Sequence, residues 1–182
     1  MDKAGFDSVL INESKNWKPG QGKKFNITKD QVVHIPNNLK NFKFGLGWDT
    51  VSDVDASIIL LDKTGSLIET IYFGNLNFRK AVVHSGDNLT GEGEGDDEVI
   101  TINLDDLPES VESIWPVITI FSTHKFNEIK GAFCRIFDGE TKSEFVKYNL
   151  SEITDMTSNG CIVASLHKYE DSWALKARGY YT

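Results

Sequence analysis

The stretch Asp53-Val54-Asp55-Ala56-Ser57-Ile58-Ile59-Leu60-Leu61, followed by Asp62-Lys63-Thr64-Gly65 and then by Leu67 to Phe73, decides the fold. Its first half alternates polar and apolar residues. Its second half is apolar throughout, as in a strand buried on both faces. The Asp-Lys-Thr-Gly tetrad has the composition of a tight turn, so the two apolar runs pair as a hairpin. Working outward, similar short runs recur at Ser8 to Ile11, Lys40 to Leu46, Val99 to Leu104, Ser113 to Phe121, Ala132 to Phe137, Glu144 to Leu150, Cys161 to Tyr169 and Ser172 to Ala177. Asp138-Gly139-Glu140-Thr141 marks a second turn, and Asp105 to Glu109 reads as a short helix with acids in its first turn. No helical period is sustained anywhere. Ten strands with one or two short helices predict a mainly β protein, an antiparallel two-sheet β-sandwich, with a barrel as the alternative. Residues 12 to 39 are the least regular part.

The chain has 182 residues, enough for one well-cored domain spanning 1–182 and short for two. Its formal net charge is -8. That balance disfavours nucleic acid, whose binding rests on Lys and Arg neutralising phosphates. No apolar run reaches the ~18 residues of a membrane span, and the N-terminus lacks the apolar core of a secretion signal, so a cytoplasmic location is expected. Cys134 and Cys161 both lie in apolar runs and are expected as buried, reduced thiols.

The acidity is concentrated. From Ala81 through His124 there are ten acids and no Lys or Arg, which leaves the rest of the chain with a net +2. The densest part, Gly86 to Glu98, packs six carboxylates and four glycines into thirteen residues. On the 53–61 strand, Asp53 and Asp55 point to one side, at the polar start of the strand, and Asp49 ends the preceding strand nearby. Two carboxylates ~5 Å apart repel by roughly 3 kcal/mol at an effective dielectric near 20, so packing this loop against Asp53 and Asp55 calls for a cation. Calcium, with six to eight oxygen ligands in adaptable geometry, suits the donor set better than magnesium. Zinc does not fit, since no His or Cys lies among these acids. The candidate metal ligands are Asp49, Asp53, Asp55, Asp87, Asn88, Thr90, Gly91, Glu92, Asp96, Asp97 and Glu98, holding one or two Ca2+ ions.

Known loop types do not account for it. Counted from Asp87, an EF-hand would need Gly at position six, where Glu92 stands. The glycines at 91, 93 and 95 resemble a phosphate loop only superficially, because Glu92 and Glu94 would repel phosphate and no Walker lysine follows. No Gly-X-Ser-X-Gly elbow is present, and His84 beside the loop reads as a structural histidine. Two alternatives use the same carboxylates: a metal-dependent hydrolase, and a calcium-dependent small-ligand binder with Trp48 and Trp115 as candidate platforms.

Gly45-Leu46-Gly47-Trp48-Asp49, Asp53-Val54-Asp55-Ala56-Ser57 and the run His84 to Glu98 closely resemble the TerD family of calcium-binding stress-response and tellurite-resistance proteins. The resemblance continues through Ala132-Phe133-Cys134-Arg135-Ile136, Tyr148-Asn149-Leu150-Ser151-Glu152 and Trp173 to Tyr180. It departs from the family pattern in an extended opening at Asn12 to Lys24, in Thr141-Lys142-Ser143 where Thr-Gly is usual, and in Asn149 where Asp is common. The resemblance implies a calcium-binding sandwich without enzymatic activity. It also implies a role in resistance to tellurite, other chemical stress and phage, with protein partners in assemblies peripheral to the inner membrane.

Overall fold

A computed structural model describes residues 10–49, 53–86, 95–121, 123–150 and 157–182. In chain order its strands are β1 (Leu10–Ile11), β2 (Phe25–Asn26), β3 (Val32–Ile35), β4 (Asn41–Gly47), β5 (Val54–Leu61), β6 (Leu67–Ile71), β7 (Asn77–Phe78), β8 (Val82–His84), β9 (Glu98–Asn103), β10 (Ser113–Ile120), β11 (Phe133–Asp138), β12 (Glu144–Asn149), β13 (Gly160–Tyr169) and β14 (Ser172–Tyr181). They form two open sheets. The first runs β1-β3-β14-β13-β10-β5-β6 and the second β2-β12-β11-β4-β9-β8-β7. Neither closes into a barrel. Two short pairs at the sheet ends, β1 with β3 and β2 with β12, are parallel, and the other pairs are antiparallel. The expected antiparallel sandwich is therefore a pair of mixed sheets, because the irregular N-terminal region returns to the sheet ends in the same direction as its neighbours.

Alternation along the strands builds the core. Ala56, Ile58 and Leu60 of β5 face Phe42, Phe44 and Leu46 of β4 and Ile100 and Ile102 of β9 across the sandwich, all 0–2 % exposed. The outer residues of β5, Ser57, Ile59 and Leu61, are only half-buried, so this strand is buried fully on one face rather than both. Trp48 lies in this core and cannot serve as an exposed platform. Both cysteines are buried and unbridged, and desolvation pushes the Cys161 thiol up to about 12.

The hairpin turn forms as the sequence suggests. Asp62 Oδ1 accepts hydrogen bonds from the backbone N–H groups of Thr64 and Ser66, and Gly65 takes the left-handed conformation with φ 82°. At the second turn Asp138 Oδ2 accepts the Thr141 N–H, but the left-handed position falls on Lys142, with φ 61°. The expected helix at 105–109 is shorter: a single 3-10 turn at Leu104–Asp106. Strand β6 stops at Ile71 because the main chain bends back at Tyr72 and Asn75, where Asn75 Nδ2 donates to Thr70 O and Glu69 Oε1 accepts the Thr70 N–H. Those two side chains cap the outer edge of β6 and blunt it against pairing with another chain.

Candidate functional site

Pairing of β5 with β6 begins only at Ile58 opposite Ile71, so the main chain of Ala56 lies beyond the end of β6. Buried backbone groups there need partners. The second sheet supplies both. Glu98, the first residue of β9 and 0 % exposed, accepts the Ala56 N–H on Oε2 at 2.6 Å. His84, the last residue of β8, approaches Ala56 O with Nε2 at 3.0 Å. Its Nδ1 accepts the Gly86 N–H at 2.9 Å, which leaves the ring proton on Nε2 and makes His84 a neutral donor to Ala56. Gly86 and Glu98 are the two ends of the acidic loop. Both ends are thus fastened beside the start of β5.

Asp55, next to Ala56, is 3 % exposed and stands opposite Thr119 of β10. Asp53 is half-buried, and its carbonyl accepts the Phe121 N–H at 2.9 Å. Across the gap between the sheets, Asp97 donates its N–H to Leu46 O and accepts the Trp48 N–H on Oδ2 at 2.9 Å. Desolvation holds the Asp97 carboxyl above the usual range, with the negative charges of Asp96 and Asp49 adding to the shift and the Trp48 N–H opposing it. Asp49 donates its N–H to Lys130 O, and its carboxylate fills the space where a side chain on Gly131 would start.

Asp96 behaves differently. Both of its oxygens accept from Arg135 of β11, in a fork at 2.6–3.1 Å on the outer face of the second sheet. The side chain reaches Arg135 by lying across Gly45, where a Cβ would collide with the Asp96 carboxylate. At Gly47 a Cβ would meet the carbonyl of Gly95 at 2.5 Å and the Phe133 ring. The Gly-Leu-Gly of β4 therefore keeps open the bed on which the end of the acidic loop rests.

Of the eleven residues expected to bind metal, Asp49, Asp96 and Asp97 come together, and Glu98 is hydrogen-bonded to the strand that carries Asp53 and Asp55. Asp96 has its oxygens turned to Arg135 rather than to these acids. Asp87, Asn88, Thr90, Gly91 and Glu92 lie outside the described residues. Among the described residues no three His, Cys, Asp or Glu side chains by themselves form a metal-holding group. Trp115, the other candidate platform, is half-buried on the outer face of the first sheet, donates Nε1–H to Ser113 Oγ at 2.8 Å and packs edge-on against His167. Sequence reasoning missed two residues: Arg135 as the partner of Asp96, and His84 as the clamp on Ala56. The outward position of Arg135 in an alternating strand was the available signal for the first.

The match to known proteins covers most of the chain. The model of the TerD domain matches residues 21–182. The tellurium resistance protein TerZ of Serratia marcescens is 39% identical over 173 residues, covering 85% of this chain and 88% of that protein. General stress protein 16U of Bacillus subtilis (strain 168) is 35% identical, with 87% of each chain covered. The crystal structure of a homologue of telluride resistance protein (TerD) from Streptomyces coelicolor A3(2) superposes with a TM-score of 0.66 at 19% identity, over 79% of this chain and 92% of that one, which shows the shared fold. With both its fold and nearly its whole length accounted for in this way, the chain belongs to the TerD domain family, among relatives named for tellurium resistance and general stress.

Proposed function

We propose that the protein is a non-catalytic calcium-binding module of the cytoplasm, in which one or two calcium ions draw the acidic loop onto the rim of the first sheet and order a surface for a protein partner. One observation carries this reading: the 2.6 Å hydrogen bond from the Ala56 N–H to Glu98. It ties the end of the acidic loop to the residue that follows Asp55 on β5, which brings loop and strand to one rim. Nearby, desolvation first and the charges of Asp96 and Asp49 second raise the Asp97 carboxyl. A divalent cation would favour the charged form of these acids. Asp49, Asp53, Asp55 and Asp97 would hold the ion together with Asp87, Asn88, Thr90, Gly91 and Glu92. Asp96 is less suited, since Arg135 already takes both its oxygens. Calcium supplies only charge and coordination in this reading, and the partner surface it orders serves resistance to tellurite and other chemical stress.

Calorimetric titration with calcium, paired with thermal melts, tests the proposal. A ligand bound only by the folded state stabilises by about 2.7 kcal/mol at a hundredfold excess over Kd, which for a domain of this size raises Tm by roughly 5–10 °C. Calcium should produce that rise, a chelator should reverse it, and Asp55→Asn should weaken the binding. A melting curve that stays fixed from micromolar to millimolar calcium, with no heat of binding, overturns the reading.

A further inference from the structure

The outer face of the second sheet holds an open cleft of about 470 Å³ in which Lys43 of β4, Arg135 of β11 and Lys142 of the β11–β12 turn meet. The three cations are not equivalent. Arg135 is paired with Asp96 and, at 3.8 Å, with Glu144, and is held over the Phe137 ring at 4.5 Å from its centroid. Lys43 and Lys142 have no carboxylate partner among the described residues, in a chain with eight more acids than bases. Lys142 also keeps a left-handed backbone, which glycine adopts freely and lysine only under strain. Its exposed ammonium stands at the mouth of the cleft, outside any ion pair among the described residues, where it can meet a ligand. The rest of the lining fits one chemistry. Thr101 adds a hydroxyl with no protein partner among the described residues, while Val99 and the 39 % exposed Val83 make an apolar wall.

We propose that this cleft binds a small phosphate monoester carrying an apolar body. The dianionic phosphate sits between the ammonium groups of Lys43 and Lys142, which act as compact point charges suited to phosphate, and accepts a hydrogen bond from Thr101. The apolar body covers Val83 and Val99. Arg135, its charge already taken up by Asp96 and Glu144, forms a fixed floor. The site shares Asp96 with the end of the acidic loop, but its phosphate-binding groups lie on β4, β9 and the β11–β12 turn, and it does not depend on calcium.

The full chain is titrated in a calorimeter with 1-naphthyl phosphate, inorganic phosphate and 1-naphthol, in calcium and again in a chelator. One-to-one binding of naphthyl phosphate is expected, with affinity falling as salt rises, inorganic phosphate at least about tenfold weaker, and no binding of naphthol. Lys43→Ala and Lys142→Gly should each lower the affinity about tenfold or more. Lys142→Gly should at the same time leave the melting temperature equal or higher, because glycine relaxes the turn; a variant that loses binding while gaining stability cannot be explained by damage to the fold. Absence of naphthyl phosphate binding in both conditions overturns the proposal, as does an affinity that neither substitution changes. Equal affinity for inorganic phosphate overturns the apolar subsite.

Discussion

Asp96 and Glu98 belong to one acidic run and stand two residues apart, yet the fold holds them by opposite means. Asp96 lies at the outer face of the second sheet with its side chain 7 % exposed, and its charge is met by the charge of Arg135, which keeps 27 % of its side chain in water. Glu98 is sealed between the sheets, where its oxygen meets a backbone N–H and a neutral histidine stands 3.7 Å away. The difference teaches where each strategy works. Where water still reaches the cation, charge can meet charge, and loss of the acid leaves a guanidinium that water can solvate. In a dry interior the acid serves as an acceptor for a main chain that has run out of sheet, and removing it strands the groups it satisfied.

The largest effect should therefore come from Glu98. Glu98→Ala leaves the Ala56 N–H without its acceptor and opens a void beside His84, which should lower unfolding stability by about 3 kcal/mol in urea denaturation. Glu98→Gln keeps both shape and an acceptor oxygen and should lose less than half as much. Asp96→Ala, by contrast, should lose less, about 1–2 kcal/mol, because water can solvate the freed Arg135 guanidinium. If the two alanine variants are equally unstable, the contrast between a carboxylate met by a cation and one met by the main chain is wrong.

A second test sharpens the Asp96 side. Gly45→Ala sets a methyl group into the space of the Asp96 carboxylate and should destabilise by about 1–3 kcal/mol through displaced packing. In an Asp96→Ala background the obstacle is gone, so the same substitution should be close to neutral. This double-mutant cycle isolates the crowding between residues 45 and 96. An undiminished penalty in the double variant would mean that Gly45 serves the strand and not the ion pair.

These contrasts also mark what the sequence made legible. The nine longer strands show themselves through alternation and turn chemistry, as Asp62 to Gly65 does, because each such segment carries its own period and its own punctuation, and the two-residue β1 ends the apolar run from Ser8. Strands β2, β3, β7 and β8 do not, being two to four residues long. Val32–Ile35 is buried on both faces and shows no alternation, and it is a strand only because β14 lies beside it. At the candidate site the acidic composition of residues 86 to 98 could be read locally. The Arg135 pair and the Ala56 clamp could not, since each joins residues about 40 apart and depends on where β6 ends and which glycine of β4 lies under the loop.

The smallest expected effect extends the comparison to His167, on the outer face of the first sheet. Like Glu98 it is governed by burial rather than by an ion pair: desolvation, with the positive charge of Arg178 added, lowers its pKa from the ordinary 6.5 to about 4. The folded protein therefore keeps the ring neutral under conditions where the unfolded chain takes up a proton. Above pH 6.5 both states are neutral and His167 gives no pH dependence. As pH falls from 6.5 toward 4 the unfolded state binds the extra proton and stability declines, levelling off once the folded state is protonated as well. His167 is partly open to water, so the decline is a shallow one. His167→Asn should remove it, and the urea midpoints of the two proteins, compared from pH 7.5 to pH 4, should converge as the pH falls. Parallel curves would show that the ring takes up its proton equally well in both states, and that desolvation on this outer face is too slight to act as it does between the sheets.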